Sequence, residues 1–120
     1  MEEISKSLKL ARTFLGKKVQ LEFDQPIGSS YKPHKIDSYP VNYGYLPGVI
    51  APDGDDLDAY FLGTDEPLIK GEGTCIAIIH RRNDDDDKLV VVPEGVDYSD
   101  EEIMKQVAFQ EHLYDSEVLR

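Results

Sequence analysis

Residues 39–58 read Tyr-Pro-Val-Asn-Tyr-Gly-Tyr-Leu-Pro-Gly-Val-Ile-Ala-Pro-Asp-Gly-Asp-Asp-Leu-Asp. The end of this stretch sets four carboxylates, Asp53, Asp55, Asp56 and Asp58, around one glycine, and Ala59-Tyr60-Phe61-Leu62 follows as an apolar run. Like charges this close repel unless something cationic sits among them. Hard oxygen ligands in a tight turn are what a divalent ion such as Mg²⁺ recruits. In extended backbone Asp53 and Asp55 point to one side, and Gly54 lets the chain bend so that Asp58 can join them. An acidic turn kept only for solubility has no use for the three tyrosines ahead of it.

Outward from this stretch, the pattern gives a helix, several strands and a second helix. Ile4, Leu8, Ala11 and Leu15 fall at helical spacing, with Gly16 as a stop. Lys18–Phe23 alternates, with Val19, Leu21 and Phe23 on one face and Glu22 on the other. Residues 24–40, rich in Pro, Gly and Ser, read as loop with room for a short strand. Strands follow at Leu57–Leu62, at the apolar run Thr74–His80 and at Leu89–Val92, the last two joined by a charged hairpin, 81–88. Read alone, its aspartates Asp84–Asp87 are a solvated tip. Ser99 and Glu102 form a capping box opening a helix that carries Ile103, Val107, Phe109, Leu113 and Tyr114. Four or five strands between two helices predict an α+β domain over residues 1–120: a small, mostly antiparallel, OB-like β-barrel with flanking N- and C-terminal helices.

A chain of 120 residues supports one modest core. Its net charge of −11 argues against nucleic acid or an anionic membrane as partner and suits a binder of divalent cations. No apolar run approaches the roughly 20 residues of a membrane span, and the N-terminus has no signal-peptide pattern. Cys75, the single cysteine, lies in an apolar run and reads as a small packing residue. These features predict a cytoplasmic protein. The two amphipathic helices leave a homo-oligomer open. Starting from Asp53, an EF-hand loop would need glycine where Asp58 stands and glutamate where Thr64 stands, which excludes it. His34, His80 and His112 sit in no motif with a nucleophile, and neither a Walker loop nor a Rossmann fingerprint is present.

Tyr39-Pro40-Val41-Asn42-Tyr43-Gly44-Tyr45 followed by Asp53-Gly54-Asp55-Asp56-Leu57-Asp58 resembles the paired signature of the soluble, metal-dependent inorganic pyrophosphatases of family I. Asp56 departs from the proline or glutamate usual there. Lys88-Leu89-Val90-Val91-Val92-Pro93, with Asp86 two residues before the lysine, is similar to a second family segment. The resemblance implies a two-metal hydrolase that splits pyrophosphate, or another small phosphoanhydride, with Mg²⁺ or Mn²⁺. Asp53, Asp58 and Asp86 would bind metal, joined by Asp84 (or Asn83) from the hairpin, with Glu22 at the edge of the site. Asp55 would be the general base. Tyr43 and Lys88 would bind substrate. Two ions about 3.5–4 Å apart can activate a water and neutralise the leaving phosphate. Tyr39 and Tyr45 suit aromatic packing under the acidic loop as well as a role in the site.

Several cations of the family pattern are absent. Tyr31-Lys32-Pro33 stands where the family has a Lys-Tyr-Glu triplet, the arginine expected just ahead of the tyrosine motif is missing, with Lys32, His34 and Lys35 the basic residues near it, and Glu111-His112-Leu113-Tyr114 lacks the family's Tyr-Lys pair. Arg81 and Arg82 are candidates to replace them, or simply balance the aspartates. A non-catalytic relative that binds metal or phosphate, and a hydrolase of another phosphate ester or anhydride, share all the metal-ligand features.

Overall fold

The computed structural model describes residues 6–82 and 86–120. Ile4 of the predicted first helix, and Asn83 and Asp84 of the predicted second hairpin ligand, lie outside them. Helix α1, Lys6–Arg12, precedes strands β1 (Lys18–Gln25), β2 (Asn42–Ile50), β3 (Asp56–Phe61), β4 (Lys70–Arg81) and β5 (Lys88–Val92). Helix α2 (Asp100–Glu111) and strand β6 (Ser116–Leu119) follow. The strands run in the order β1-β2-β3-β5-β4, and β4 pairs back onto β1 to close a five-stranded barrel. All these pairings are antiparallel except β3 with β5. The predicted α+β barrel is therefore the observed architecture.

Strand β4 is long because it serves three neighbours in turn. Residues 70–74 pair with β1, 74–79 with β5 and 78–81 with β6. The strand sequences report how many of their faces are covered. β1 alternates exposed and buried because only its inner face meets the core. All five residues of β5 are buried, since Leu89 and Val91 join the cluster holding Val19, Leu21, Phe23, Phe61 and Ile78. Val90 and Val92 join the opposite cluster, beneath Ile103 and Val107 of α2.

Three boundaries differ from the sequence pattern. β2 falls where the sequence pattern gives no strand, since Gly44, Pro47 and Gly48 are poor strand formers. It accommodates them because its register with β3 slips between Tyr45 and Ile50, so Pro47 need not donate to a ladder. The last helix ends at Glu111, before Leu113 and Tyr114, and the chain reverses to lay β6 along β4. The segment 24–40 holds a single turn of 3₁₀-helix, Lys32–His34, and an isolated bridge between Tyr31 and Ile36. The Ser99–Glu102 capping box is present, with Ser99 Oγ accepting from Glu102 N at 3.2 Å and Glu102 Oε1 accepting from Ser99 N at 3.1 Å. Among the described residues no helix is long and apolar enough to cross a membrane.

Gly44 is where barrel closure is tightest: a Cβ there would overlap the backbone carbonyl oxygen of Glu22 on β1. That oxygen cannot swing aside as a side chain could, so Gly44→Ala must push β2 away from β1. Overpacking of this kind costs about 1–3 kcal/mol. Urea unfolding of Gly44→Ala should show a lower midpoint, and a midpoint equal to the native one would contradict the close β1–β2 approach.

Candidate active site

The acidic stretch is the turn between β2 and β3. Ala51 N–H donates to Asp55 O at 2.7 Å and Gly54 N–H to Ala51 O at 3.0 Å, closing a tight loop. Gly54 takes φ +93°, which its missing Cβ permits. Asp53 Oδ1 accepts the Asp55 N–H at 3.0 Å, so one carboxylate already shapes the backbone that presents the next. β-sheet register then carries the site across the barrel. Glu22 on β1 pairs with Tyr45 on β2, and Tyr45 with Asp58 on β3. The Ala59–Leu89 pair of β3 and β5 lies one step beyond Asp58 and Lys88.

A cleft of about 540 Å³ opens at this end of the barrel. It is lined by Asp24, Asp53, Asp55, Asp56, Asp58 and Asp86, by Arg81 and Lys88, and by Tyr31, His34, Tyr39, Tyr43, Tyr45 and Tyr114 among others. The buried Lys88 ammonium stands between two carboxylates, 2.9 Å from Asp58 Oδ2 and 2.7 Å from Asp86 Oδ1. Tyr43 donates its hydroxyl to the same Asp58 oxygen at 3.0 Å. Burial, and then the Asp58 charge, push the Tyr43 hydroxyl well above its ordinary pKa, so it remains a donor. The cleft walls, with the Asp58 charge added, raise the Asp24 carboxyl above the usual range.

Behind Lys88 lies a buried charge network. The Arg81 fork meets Glu111 through Nε–H to Oε1 at 3.1 Å and Nη2–H to Oε2 at 2.8 Å, and its Nη1 donates to Asp86 Oδ2 at 3.2 Å. The Tyr114 ring stacks 3.6 Å from the guanidinium carbon. Glu111 also accepts from Tyr60 and Ser116, both at 2.6 Å. Burial works to raise the Glu111 pKa, but the Arg81, Ser116 and Tyr60 hydrogen bonds hold it below its ordinary value. Burial likewise opposes the charge on Arg81, and the Glu111 bonds more than offset it.

The structure brings Asp53, Asp55, Asp58, Asp86, Tyr43 and Lys88 to one cleft, as the sequence motifs implied. Glu22 is not among the residues that line it; its Oε2 accepts from the hydroxyl of Tyr45, which does, at 2.9 Å. Tyr39 is 1% exposed, donates to Gln110 Oε1 at 3.0 Å, and burial pushes its hydroxyl up to about 12. Of Lys32, His34 and Lys35, only His34 lines the cleft, within hydrogen-bond reach of Tyr114 OH and of Gln110 Oε1, each at 3.3 Å. Asp24 was missed, although the two-residue strand period sets it beside Glu22. Arg82 is partly exposed and pairs with Asp115 and Glu117 at 2.6 Å, away from the cleft. Asp87, read as part of a solvated tip, is buried instead. Its Oδ1 accepts from Arg81 N at 3.1 Å and lies 2.9 Å from His80 Nδ1.

Among the described residues no three His, Cys, Asp or Glu side chains form a ready metal cage. The donor chemistry still fits Mg²⁺, which is commonly held by one or two carboxylates with water and substrate phosphates completing its shell. Asp58 and Asp86 already converge on one cationic group, the Lys88 ammonium.

The profile of the inorganic pyrophosphatase family matches residues 14–117. The chain is 30% identical over 125 aligned positions to the inorganic pyrophosphatase of Brucella melitensis biotype 1, covering 85% of this chain and 69% of that protein. It is 34% identical over 62 positions to the one from Aeropyrum pernix, covering 48% of this chain and 35% of that protein. Solved structures share the fold. The inorganic pyrophosphatase from Ehrlichia chaffeensis superposes with a TM-score of 0.66 at 17% identity, over 88% of this chain and 86% of that one. The Coxiella burnetii protein gives 0.60 at 20%, over 87% and 84%.

The Glu111 pair predicts an acid-sensitive fold. A carboxyl whose pKa is depressed on folding adds stability above its unfolded value, ordinarily 4.5, and loses it as pH falls through the folded value. Glu111→Gln leaves Arg81 short of a countercharge and should cost about 3–5 kcal/mol at pH 7, by the cost of breaking a buried pair. The gap to the native protein should close in urea titrations below pH 4.5. A pH-independent gap would contradict the ion pair.

Proposed function

The chain belongs to the inorganic pyrophosphatase family, and from that premise we propose that it hydrolyses pyrophosphate to two phosphates with Mg²⁺, Mn²⁺ being an alternative ion. The observation that carries this reading is the convergence of Asp58 from β3 and Asp86 from the β4–β5 hairpin on a single cationic position, with Tyr43 fixing Asp58 from the side. Asp53, Asp55 and Asp56 line the same cleft of about 540 Å³, so the carboxylates around the Lys88 ammonium suit a divalent ion beside a small polyanion.

In this mechanism Asp53, Asp58 and Asp86 would hold the metal, whose chemistry when bound would be to offset phosphate charge and lower the pKa of a water. Asp84 remains a proposed ligand, and Glu22, bonded to the lining Tyr45, stays a proposed ligand at the edge of the site. Asp55, held on the tight turn by the Asp53 side chain, takes the water's proton. The water oxygen bonds to one phosphorus as the bridging P–O bond breaks, and the electron pair leaves with the second phosphate. Lys88 offsets the charge on that phosphate, and Tyr43 orients Asp58 and donates toward substrate oxygens. The negative net charge disfavours nucleic acid and anionic membranes as partners. A lone, fully buried cysteine suits a reducing cytoplasm.

Two measurements test the reading. Phosphate release from pyrophosphate with Mg²⁺ should fall about 10²–10⁴-fold in Asp55→Asn, which keeps the side-chain shape but accepts a proton poorly. Equal rates would place the base elsewhere, and an inert native protein that still binds Mg²⁺ would make the chain a non-catalytic relative. Millimolar Mg²⁺ should also raise the melting temperature, through a stabilisation of about 2.7 kcal/mol at a hundredfold excess over Kd. Asp58→Asn should abolish most of that rise, whereas an unchanged native melting curve would argue for a purely solvated acidic face.

A further inference from the structure

We propose that Arg81, backed by Tyr114, forms a phosphoryl-binding subsite that takes the phosphoryl group of pyrophosphate lying away from Lys88; this rests on reading the cleft as the pyrophosphate site. Six aspartates line the cleft, and among the described residues Arg81 and Lys88 are its only lysine or arginine side chains. A polyanion cannot settle against six carboxylates without a strong cationic grip, even where metal ions neutralise part of the charge. Lys32 and Lys35, the other basic residues near the tyrosine motif, do not line it.

Arg81 is built for such a grip. Its side chain is 3% exposed, yet it forms part of the cleft wall. An arginine has five N–H donors. Two of them go to Glu111 and one to Asp86, which leaves two with no protein acceptor among the described residues. Glu111 and the Tyr114 ring lock the guanidinium plane, so little side-chain entropy remains to be lost when an anion binds. The two cations divide Asp86 between them, Lys88 on Oδ1 at 2.7 Å and Arg81 on Oδ2 at 3.2 Å. That spaces two positive groups on either side of one carboxylate, as a diphosphate spaces two phosphoryl groups on either side of one oxygen. His34, within 3.3 Å of the Tyr114 hydroxyl, lines the same cleft.

Arg82 shows what an arginine kept only for surface pairing looks like here. It is 47% exposed and is paired with two carboxylates outside the cleft. A purely structural Arg81 would need Glu111 alone, and a buried pair of that kind is weak support for stability.

The test compares the native protein with Arg81→Lys, which keeps the charge but loses the fork. A second variant, Arg81→Met with Glu111→Gln, removes both charges together so that neither is left buried alone. Arg82→Gln is the control. Calorimetric binding of pyrophosphate and of inorganic phosphate, each with Mg²⁺, is read beside KM and kcat for pyrophosphate and circular-dichroism melting. Arg81→Lys should bind both anions roughly ten- to hundredfold more weakly, by the loss of a charge-assisted hydrogen bond, and should raise KM, while Arg82→Gln stays within twofold of native. Native-like anion binding in folded Arg81→Lys overturns the subsite whatever happens to its melting temperature. If the double variant does not fold, Arg81→Lys alone decides. Should the native protein release no phosphate, the hydrolase reading fails, yet the binding comparison still decides the subsite: weaker binding in Arg81→Lys sustains it, and no native binding or equal binding ends it.

Discussion

Closure of the barrel through β1 and β4 is the constraint from which the remaining geometry follows. Lys18–Glu22 pairs with Lys70–Thr74, so β1 has partners on both sides and the five strands form a ring. A ring has a fixed radius, and because β3 and β5 are parallel neighbours in it, the turns that lead into them are held side by side at one mouth. One turn carries Asp53 and Asp55, with Asp58 just inside β3; the other is the β4–β5 hairpin, which carries Asp86. Their mutual repulsion cannot splay them apart, because that would require breaking the β3–β5 backbone ladder, which the hydrophobic core also holds.

The charge held in this way is connected to the interior by a chain of hydrogen bonds. Tyr43 meets Asp58, Asp58 meets Lys88, Lys88 meets Asp86, Asp86 meets Arg81, and Arg81 meets Glu111, which is held by Tyr60 and Ser116. Signs alternate along the charged part of the chain, so each desolvated charge has an opposite neighbour. The outer end is wet, with Asp58 and Asp86 about a third exposed, while Glu111 is 1% exposed. Buried groups fix the directions of the wet ones at their backs. Helix α2 takes part because Gln110 and Glu111 at its C-terminal end turn inward, which explains why a polar pair sits on a face that otherwise packs Ile103 and Val107.

The sequence made the acidic turn, the barrel class and the capping box legible, because each rests on local spacing. Asp53, Asp55 and Asp58 are near neighbours, and the two-residue period of Val19, Leu21 and Phe23 needs no knowledge of what covers them. Other features depended on distant contacts. β2 was hidden because Pro47 and Gly48 are turn residues by propensity, and they are tolerated only through a register slip with β3. β6 was hidden because its four residues gain strand character from pairing with β4, not from an alternation of their own. Arg81 and Arg82 are adjacent and chemically identical, so their opposite fates could not be read from composition. The strand period decides it, turning Arg81 to the buried cluster and Arg82 to the surface. Asp87 is the same lesson with the sign reversed: four consecutive aspartates read as solvent-facing, yet the strand entry turns one of them against His80 and the Arg81 backbone.

The tyrosines show how packing and chemistry share the same side chains. Tyr43 and Tyr60 face each other across β2 and β3, with ring centroids 4.9 Å apart. Tyr60 and Tyr39 both pack against Phe109 of α2. Each ring contributes apolar area to the seam between barrel and helix, while each hydroxyl reaches a polar group at a different depth: Tyr43 to Asp58, Tyr60 to Glu111, Tyr39 to Gln110. Phenylalanine at these positions would fill the same space but leave those acceptors with one donor fewer, and for buried Glu111 that donor helps keep a carboxylate charged away from water. The aromatic stretch therefore precedes the acidic turn for a physical reason. It supplies donors, Tyr43 to Asp58 and Tyr45 to Glu22, that let closely set carboxylates keep fixed directions.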